Sequence, residues 1–350
     1  MHKKYSQIII KTGDSILFAL KQMDAIKRKL LLVVDNEEYI GLLSIGDIQR
    51  AIINATDLNC QIRKIMRSDY IIAHPRDSIE DIKRMMMQIR SEFMPVVDEY
   101  QHLVDVYFWE NLFGEQTPKP SGQFNLPVVV MAGGTGSRLK PLTNVLPKPL
   151  IPIGEKTILE EIFERFGNHG CNNFYISVNY KAELIKYYIR KQNLPYDIKF
   201  FKENKPMGSA GSLSMLKGKI EKTFFVTNCD ILIDQDYSEI LKYHRENRNE
   251  ITLVAVLKFY AIPYGTVEAG ENGQLRKLVE KPELALKINS GMYILDPHLL
   301  DEIPNNQFFH ITQLIDKVNN RKGKIGVFPV SEQSWSDIGE WSSYLNYTRR

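Results

Sequence analysis

The first third of the chain alternates helix-like and strand-like apolar patterns. Ile16, Ala19, Leu20 and Met23 follow one another at the three- and four-residue intervals of an amphipathic helix, and Asp14 just before them is suited to cap it. Residues 31–34 and 40–43 are short β-branched and aliphatic runs typical of strands, and 45–53 has helical spacing again. The pattern therefore predicts an extended segment, a helix, two strands and a closing helix.

This pattern occurs twice. The matching positions are D-S-I at 14–16 and 77–79, Met23 and Met86, and V-V-D at 33–35 and 96–98, all 63 residues apart. We therefore predict two copies of one α+β unit within residues 1–114, with repeats of about 1–63 and 64–114. Such copies can simply bury their apolar faces against each other, so the repeat does not by itself require a ligand.

A different pattern begins after residues 115–126, which contain two prolines and a glycine without periodicity and are predicted to be a linker. Strand-like and helix-like runs then alternate through residues 127–350. The runs are strands at 128–131, 174–178, 198–201 and 224–227, and helices at 158–166, 182–190 and from 212. This alternation predicts an α/β domain with a mostly parallel sheet covered on both faces, and a ligand at the carboxyl ends of its strands.

Composition narrows the class of protein. Hydrophobic residues make up 43% and charged residues 25% of the 350 residues, and the net charge is only +3. Since there is no basic run and no apolar stretch of about 18 residues, we expect neither a nucleic-acid partner nor a membrane span. The three distant cysteines and the lack of a signal-peptide pattern lead us to expect reduced thiols and a cytoplasmic protein.

A glycine-rich loop carries the strongest chemical signal. The apolar strand predicted at 128–131 leads directly into Gly133, Gly134 and Gly136, and Arg138 follows. Glycines allow backbone N–H groups to approach an anion closely, and arginine adds a forked cationic donor. The loop lacks the third glycine of a dinucleotide fingerprint and the G-K-[ST] of a P-loop. Phosphate binding is favoured, although a tight turn would need the same glycines.

Lys148 lies between two prolines a short distance after Arg138. Proline on both sides predicts a stiff, extended, non-helical segment that presents the lysine. The alternative is an ordinary exposed lysine in a proline turn.

Together these residues carry a family resemblance. G-G-x-G-x-R-L-x-P-L-T from residue 133, followed by P-K-P-L-x-P-I from 147, resembles the signature of the sugar-1-phosphate nucleotidyltransferases. The resemblance covers residues 127–350 and implies a Rossmann-like fold that converts an NTP and a sugar 1-phosphate into an NDP-sugar and pyrophosphate. It implies that Arg138 and Lys148 hold the triphosphate and the attacking phosphate. The nucleotide-binding loop would be Gly133, Gly134, Thr135 and Gly136.

A metal site is expected because two anions must meet in this reaction. Mg²⁺ prefers one or two carboxylates together with phosphate oxygens. A lone aspartate after a strand is usually a turn or cap residue, but Asp230 and Asp337, the latter within W-S-D-I-G, both resemble the family's metal aspartates. Cys229 departs from the glycine that often precedes the first of them. Because cysteine is also small, we expect the site to be retained.

The base-binding segment also resembles the family. P-M-G-S-A-G-S-L at 206–213 is similar to its P-L-G-T-A-G, which implies nucleotide contacts from Gly208, Ser209 and Ala210. Glu203 lies just upstream, and a carboxylate there can accept from the N1–H and amine of guanine, which uracil and thymine do not offer. The pattern resembles guanylyltransferases more than thymidylyltransferases, so GTP is the expected nucleotide.

Three further segments resemble the sugar-binding side of the family. Y-G-T-V supplies Gly265, beside which the sugar would lie. E-K-P supplies Glu280 for sugar hydroxyls and Lys281, a catalytic candidate, for the sugar phosphate. N-S-G-M-Y supplies Asn289 and Gly291, which would close over the ring.

The first repeat carries G-L-L-S-I-G-D at 41–47, which resembles the G-x-x-[TS]-x-x-D motif of paired CBS domains. The resemblance implies that Ser44 and Asp47 contact the ribose of an adenine nucleotide. The equivalents at the same 63-residue offset are Val104, Tyr107 and Glu110, so one site at most is expected. A structural or dimerising pair, with the protein a homo-oligomer, is the alternative. A CBS pair ahead of such a transferase resembles bacterial guanylyltransferases that make GDP-glucosamine for nonulosonic acid glycans.

Two other function classes compete with this interpretation. A glycosyltransferase of similar fold would carry D-x-D, whereas Asp230 is followed by Ile231 and Leu232. An inactive nucleotide-sugar sensor would not need to retain Arg138 and Lys148 together with both aspartates and Lys281. Glucosamine 1-phosphate is the first candidate sugar and mannose 1-phosphate the second, with glucose and heptose phosphates still open.

Overall fold

The chain folds into two units, residues 1–119 and 120–350. The computed structural model describes residues 5–67, 70–114, 120 and 122–348, so the predicted linker residues 115–119 and 121 lie outside the described residues.

The first unit contains two similar α+β copies. Its elements are β1 (Ile9–Ile10), α1 (Ile16–Ile26), β2 (Leu30–Asp35), β3 (Glu38–Ser44), α2 (Ile45–Ile53), α3 (Ile79–Ile89), β4 (Phe93–Val97), β5 (Leu103–Phe108) and α4 (Trp109–Phe113). Strand β2 pairs parallel with β1 and antiparallel with β3. In the second copy β4 pairs antiparallel with β5, and a parallel bridge from Ala73 to Val96 takes the place of β1. The predicted α+β pair is thus confirmed.

The two copies share one core. Leu32, Val34 and Tyr39 of the first copy pack in the same buried cluster as Phe93 and Val97 of the second. Each copy therefore covers apolar surface that the other would expose, which is a sufficient physical reason for the repeat.

The caps of the two long helices differ from the prediction by one residue. Ser15 and Ser78 are the N-caps of α1 and α3, and each hydroxyl accepts from the backbone N–H three residues later. Asp14 and Asp77 instead accept from backbone N–H groups three residues before them, at 2.8 and 2.7 Å. The serine directly precedes the first helical turn, so its hydroxyl can reach the free N–H groups of that turn. Each aspartate lies one residue earlier and closes the turn that leads into the helix.

The repeat offset changes inside the hairpins. Leu30 pairs with Ser44 in the first copy and Phe93 pairs with Phe108 in the second, so the offset rises from 63 to 64 between the two strands. One extra residue in the second turn shifts every later equivalence. The counterparts of Gly41, Ser44 and Asp47 are therefore Asp105, Phe108 and Asn111, not Val104, Tyr107 and Glu110. The G-x-x-[TS]-x-x-D motif is still absent from the second copy. Phe108 stands where the motif has serine or threonine, and its side chain does not cap α4.

The second unit is an α/β domain. Its elements are β6 (Val128–Ala132), α5 (Leu142–Val145), β7 (Pro152–Ile153), β8 (Lys156–Thr157), α6 (Ile158–Gly167), β9 (Asn173–Val178), α7 (Ala182–Lys191), β10 (Asp197–Lys202), β11 (Phe224–Asn228), β12 (Ile231–Ile233), α8 (Tyr237–Glu246), β13 (Ile251–Ala261), β14 (Thr266–Ala269), β15 (Leu275–Val279), β16 (Glu283–Leu295), α9 (Leu299–Glu302), α10 (Ile311–Asn320), β17 (Ile325–Ser331), β18 (Trp335–Asp337) and α11 (Trp341–Thr348). The predicted helix start at 212 is a 3₁₀ segment, Gly211–Leu216.

Its central sheet has seven strands in the order β10-β9-β6-β11-β16-β13-β17. Strand β16 runs antiparallel to both of its neighbours, and the other pairings are parallel. Apolar side chains cover both faces, with Phe163 and Phe166 of α6 in one layer and Leu314 of α10 in the other. The predicted mostly parallel sheet is confirmed. Its strands β6, β9, β10 and β11 end at one edge, where the glycine loop begins.

The end of the predicted linker belongs to the second unit. Phe124 is 8% exposed and its ring stacks on His169 and Phe225, at centroid distances of 5.2 and 5.5 Å. Leu126 is also buried. Burial of these side chains holds residues 122–126 against the domain, so linker composition was a poor guide at these positions.

Candidate active site

The glycine loop follows the carboxyl end of β6 and is folded back by Gly136. This glycine has a left-handed φ of 66°, and a Cβ there would lie 2.8 Å from Cγ2 of Thr143 and 3.1 Å from Cβ of Lys148. The Thr143 hydroxyl donates to the Gly136 carbonyl at 2.9 Å. Only glycine satisfies both the conformation and the close approach, so the loop and the P-K-P segment are packed directly together. Gly133 and Gly134 line the rest of the loop, beside exposed Thr135.

Lys148 is buried and paired. Its Nζ donates to the Asp230 carboxylate, and both side chains are only 10% exposed. The proline segment is a short 3₁₀ turn, Lys148–Leu150, preceded by extended Pro147, so the prediction of an extended segment was wrong after the first proline. Pro149 is tolerated in this first turn because its missing N–H would have no helical partner. The alternative of an exposed lysine is excluded.

Asp230 and Asp337 are brought together by a short antiparallel ladder. Strands β12 and β18 pair Ile231 with Asp337, and the Ile338 N–H donates to the Asp230 carbonyl at 2.8 Å. A Cβ on Gly339 would lie 2.6 Å from Asp337 Oδ1, 2.7 Å from Asp230 Oδ2 and 2.7 Å from Lys148 Nζ. Three charged groups therefore converge on one position that has no side chain.

Arg138 completes this cluster from the other side. Its Nη1 lies 2.6 Å from Glu340 Oε1 and 3.6 Å from Asp337 Oδ2, and its Nη2 lies 3.8 Å from Asp230 Oδ2. Hydrogen bonding to Glu340, together with the nearby carboxylates, raises the pKa of Arg138. Two cations and three carboxylates thus form one charged centre at the end of the parallel strands, and we call these five residues the charged centre.

The two aspartates suit a divalent cation. Burial, and then the negative charge of Asp230, raise the pKa of Asp337, which means that two adjacent carboxylates are held in a partly dry position. A hard dication would relieve that repulsion, and carboxylate oxygens are the ligands that Mg²⁺ prefers. Within the described residues no three His, Cys, Asp or Glu side chains are grouped to bind a metal. Mg²⁺ usually completes its coordination with substrate phosphate and water oxygens.

Cys229 does not disturb this arrangement. Its backbone N–H donates to the Met131 carbonyl at 3.2 Å and so ties the end of β11 to the end of β6. Burial raises the pKa of its thiol to about 12, so the side chain adds no charge beside Asp230.

Glu203 lies under the glycine loop. A Cβ on Gly133 would be 3.0 Å from Glu203 Oε1, which accepts from the Ser177 hydroxyl. The other oxygen accepts from the Met207 N–H at 3.3 Å. Glu203 is buried, and because a carboxylate has about four acceptor positions, these two bonds do not use its full acceptor capacity. The same bonds also hold the segment that follows, which is a structural role for this residue.

The segment Met207–Gly211 packs on a backbone stretch before α10. A Cβ on Gly208, whose φ is 76°, would lie 2.7 Å from the Phe309 carbonyl, which accepts from the N–H groups of Ala210 and Gly211. The Ile311 N–H donates to the Ser209 hydroxyl at 3.0 Å. Ser209 and Ala210 thus have internal partners, and Gly208 provides the close contact.

The sugar-side residues fall into two groups. Gly291, with a φ of 88°, packs beside Asn228, and Asn289 Oδ1 accepts from the Gly291 N–H at 3.0 Å, so this bulged part of β16 lies next to the end of β11. Gly265, Glu280 and Lys281 belong instead to the exposed β14–β15 hairpin and its borders, where a Cβ on Gly265 would be 3.0 Å from Glu280 Oε2. In the described part of the chain, neither a hydrogen bond nor an ion pair joins these three residues to the charged centre.

Ser44 and Asp47 of the first unit are occupied by local bonds. They form a capping box for α2, in which Asp47 Oδ2 accepts from the Ser44 backbone N–H at 2.9 Å. The other Asp47 oxygen is paired with Arg50 and with Arg67. Since the Asp47 side chain is only 2% exposed, a nucleotide ribose would have to replace one of these partners.

Several residues of the site were not apparent from the sequence. Glu340 and Gly339 follow the predicted Asp337 directly, and their proximity in the chain was the available signal. Ser177 and the Phe309 backbone carry no motif, so their roles could be seen only after folding.

The fold and the charged centre together define an α/β protein with cationic and carboxylate side chains at the carboxyl ends of its parallel strands. This arrangement is suited to binding a polyphosphate. The chain belongs to the nucleotidyl transferase family, whose model matches residues 127–350. A CBS domain model matches residues 3–54 and 62–107.

Curated relatives match the second unit. Mannose-1-phosphate guanylyltransferase catalytic subunit beta of Danio rerio is 31% identical over 228 residues, which are 63% of this chain and 63% of the relative. Mannose-1-phosphate guanyltransferase of Schizosaccharomyces pombe is 30% identical over 232 residues, 64% of this chain and 63% of that protein. The chain thus spans less than two thirds of the length of these relatives.

Solved structures give the same fold. HddC from Yersinia pseudotuberculosis superposes with a TM-score of 0.51 at 26% identity, covering 64% of this chain and 98% of that one. The HddC complex with GMP-PN gives a TM-score of 0.50. A putative glucose-1-phosphate thymidylyltransferase from Bacillus anthracis, at 18% identity and a TM-score of 0.51, supports the fold alone. The described helices are too short or too polar to cross a bilayer.

Proposed function

We propose that this protein is a divalent-metal-dependent sugar-1-phosphate nucleotidyltransferase that uses GTP. The observation that carries the proposal is the convergence of Lys148, Asp230 and Asp337 around Gly339, with Arg138 beside them. Neither a dinucleotide-binding protein nor a structural α/β domain needs this combination of buried cation and paired carboxylates at a glycine loop.

The proposed chemistry requires placement more than covalent participation. A phosphate oxygen of the sugar 1-phosphate attacks the α-phosphorus of the nucleotide in line, a new P–O bond forms, and the bond to pyrophosphate breaks. Arg138 and Lys148 offset the charge of the two approaching anions, and Asp230 and Asp337 would hold Mg²⁺. When bound, Mg²⁺ supplies charge neutralisation and a template for the phosphate oxygens.

Two arguments favour guanine as the base. The relatives named above are guanylyltransferases, and the HddC structure was obtained with GMP-PN. In addition, Glu203 lies next to the glycine loop, and its carboxylate would accept from the N1–H and amine of guanine.

The sugar has two leading candidates. Mannose 1-phosphate is favoured by the names of the curated relatives, and glucosamine 1-phosphate by the CBS pair ahead of the transferase unit. Mannose has a hydroxyl at C2 and glucosamine an ammonium, so a panel of both phosphates separates the two. We also propose a cytoplasmic homo-oligomer, in which the CBS pair either binds one adenine nucleotide or only assembles the protein.

The deciding experiment is pyrophosphate release by the full chain with Mg²⁺, using four NTPs against mannose, glucosamine, glucose and heptose 1-phosphates. We expect release with GTP and one of the first two sugars. Absence of release with every pair would contradict the transferase proposal and favour an inactive sensor. Transfer of a sugar from an NDP-sugar would favour a glycosyltransferase.

Changing Glu203 to glutamine should erode the preference for GTP. In the wild type, a base without two matching donors would cover this buried carboxylate without offering it further hydrogen bonds, which disfavours that base. Glu203→Gln removes that penalty, so we expect the ratio of kcat/KM for GTP over dTTP to fall at least tenfold. Ser212→Ala, which changes a neighbouring buried hydroxyl, is the control. Equal rates with GTP and dTTP in the wild type would contradict the guanine assignment.

Asp47→Ala should destabilise the first unit. It removes half of a capping box and leaves two arginines without their carboxylate, a loss of about 1–2 kcal/mol. Asp81→Ala is the matched control, because Asp81 has the same relation to Ser78 and Arg84 but is 49% exposed. Thermal melting should show the larger shift for Asp47→Ala. Equal shifts in melting temperature for the two variants would contradict the structural role of Asp47. Weaker binding of AMP to Asp47→Ala, measured by calorimetry, would support the proposed adenine site.

A further inference from the structure

The clearest unassigned feature of the charged centre is Glu340. Its carboxylate binds Nη1 of Arg138 at 2.6 Å, while Nη2 faces Asp230 at 3.8 Å. Both terminal nitrogens of the guanidinium are thereby directed at carboxylates. Bidentate binding of a phosphate group uses these same two nitrogens.

The position of Glu340 is set by the fold. It directly precedes α11, and the Trp341 indole N–H donates to the Lys140 carbonyl at 2.9 Å. One turn later the Tyr344 hydroxyl donates to the Pro152 carbonyl at 3.1 Å. The helix is therefore attached to the segments that follow Arg138 and Lys148. These contacts keep the carboxylate beside the guanidinium.

We propose that Glu340 is a positioning residue that holds the Arg138 guanidinium against the two aspartates and competes with phosphate groups for its donors. In this way it weakens the binding of pyrophosphate and speeds its release. The inference rests on the proposed function, because it assigns Arg138 to the polyphosphate.

Exposure makes such a competition workable. The side chains of Arg138 and Glu340 are 53% and 52% exposed, in contrast to the buried pair of Lys148 and Asp230. An exposed pair is weak and breaks readily, so an entering phosphate can displace Glu340. The displaced carboxylate stays nearby, where its charge continues to oppose the bound anion.

Glu340→Gln tests the proposal, because glutamine keeps the size and removes the charge. Titration calorimetry of the full chain with inorganic pyrophosphate and Mg²⁺ should show binding about three- to fivefold tighter than in the wild type, or about 0.7–1 kcal/mol. Raising the salt concentration should reduce this difference. In steady state, KM for GTP and kcat should both fall, the latter because pyrophosphate leaves more slowly.

Glu164→Gln is the matched control. Glu164 also forms an exposed ion pair, with Lys156, and its side chain is 47% exposed, but it has no contact with the charged centre. It should leave pyrophosphate affinity unchanged. Unchanged or weaker pyrophosphate binding by Glu340→Gln would overturn the inference. This binding measurement needs no turnover, so failure of the proposed reaction would be seen separately, as missing NDP-sugar in the wild type.

Discussion

Asp230→Asn should abolish metal-dependent nucleotide transfer, with kcat reduced by at least about 10³-fold. The variant removes an anionic oxygen from the proposed metal position and also the partner of buried Lys148. Loss of one transition-state donor costs roughly 10²–10³ in rate, and here the metal and the lysine are both affected. The measurement is pyrophosphate release at saturating GTP across a Mg²⁺ titration.

The structure adds a stability cost that the sequence did not indicate. A buried ion pair that loses one partner is destabilised by about 3–5 kcal/mol, so Asp230→Asn should also lower the stability of the fold. Asp296→Asn is a control, since Asp296 bonds Thr223 and His244 away from the site. It should lower thermal stability and keep turnover. Near-normal, Mg²⁺-dependent turnover in Asp230→Asn would show that Asp230 is not a metal ligand.

Lys148→Met should lower kcat by roughly 10²–10³, the usual effect of removing one charge donor from a transition state. It should also lower the melting temperature, because Asp230 and Asp337 would then repel each other without a compensating lysine. Added Mg²⁺ should restore part of that stability, and EDTA should remove it. Melting curves with and without Mg²⁺, alongside kcat, measure both effects.

The double variant Lys148→Met/Asp230→Asn separates the structural contribution from the chemical one. Replacing both members of a buried ion pair avoids the uncompensated buried charge that each single replacement leaves. We therefore expect the double variant to melt closer to the wild type than either single variant, and to stay inactive. Stability losses that simply add would show that the two residues are not coupled.

Local patterns in the sequence were sufficient for much of the fold. The alternation of strands and helices after residue 127 predicted the parallel sheet, because both faces of such strands must be apolar. The duplicated D-S-I and V-V-D segments predicted the paired unit. Two of the errors were errors of position: Ser15 caps α1 instead of Asp14, and the offset in the second hairpin is 64. Single-residue shifts depend on turn geometry, which periodicity does not encode.

The packing of residues 122–126 was missed for a related reason. Composition described them as a linker, yet the Phe124 ring lies between His169 and Phe225. Whether an aromatic residue in an aperiodic segment is buried depends on the surface that happens to lie beside it. That surface comes from residues far away in the chain.

The sequence by itself determined the class of the second unit and the candidates for its chemistry. One short stretch of sequence contains a strand, three glycines, Arg138 and a proline-flanked lysine. These residues are close in the chain, so local folding is enough to bring them near one another. Tertiary structure decided what those residues contact. The ladder between β12 and β18 joins Asp230 to Asp337 across about a hundred residues, and it brings Glu340 to Arg138. The charge balance of the site, the burial of its side chains and the competition between Glu340 and phosphate for Arg138 all depend on these long-range contacts. Such contacts follow from tertiary packing and not from residues that are neighbours in the sequence.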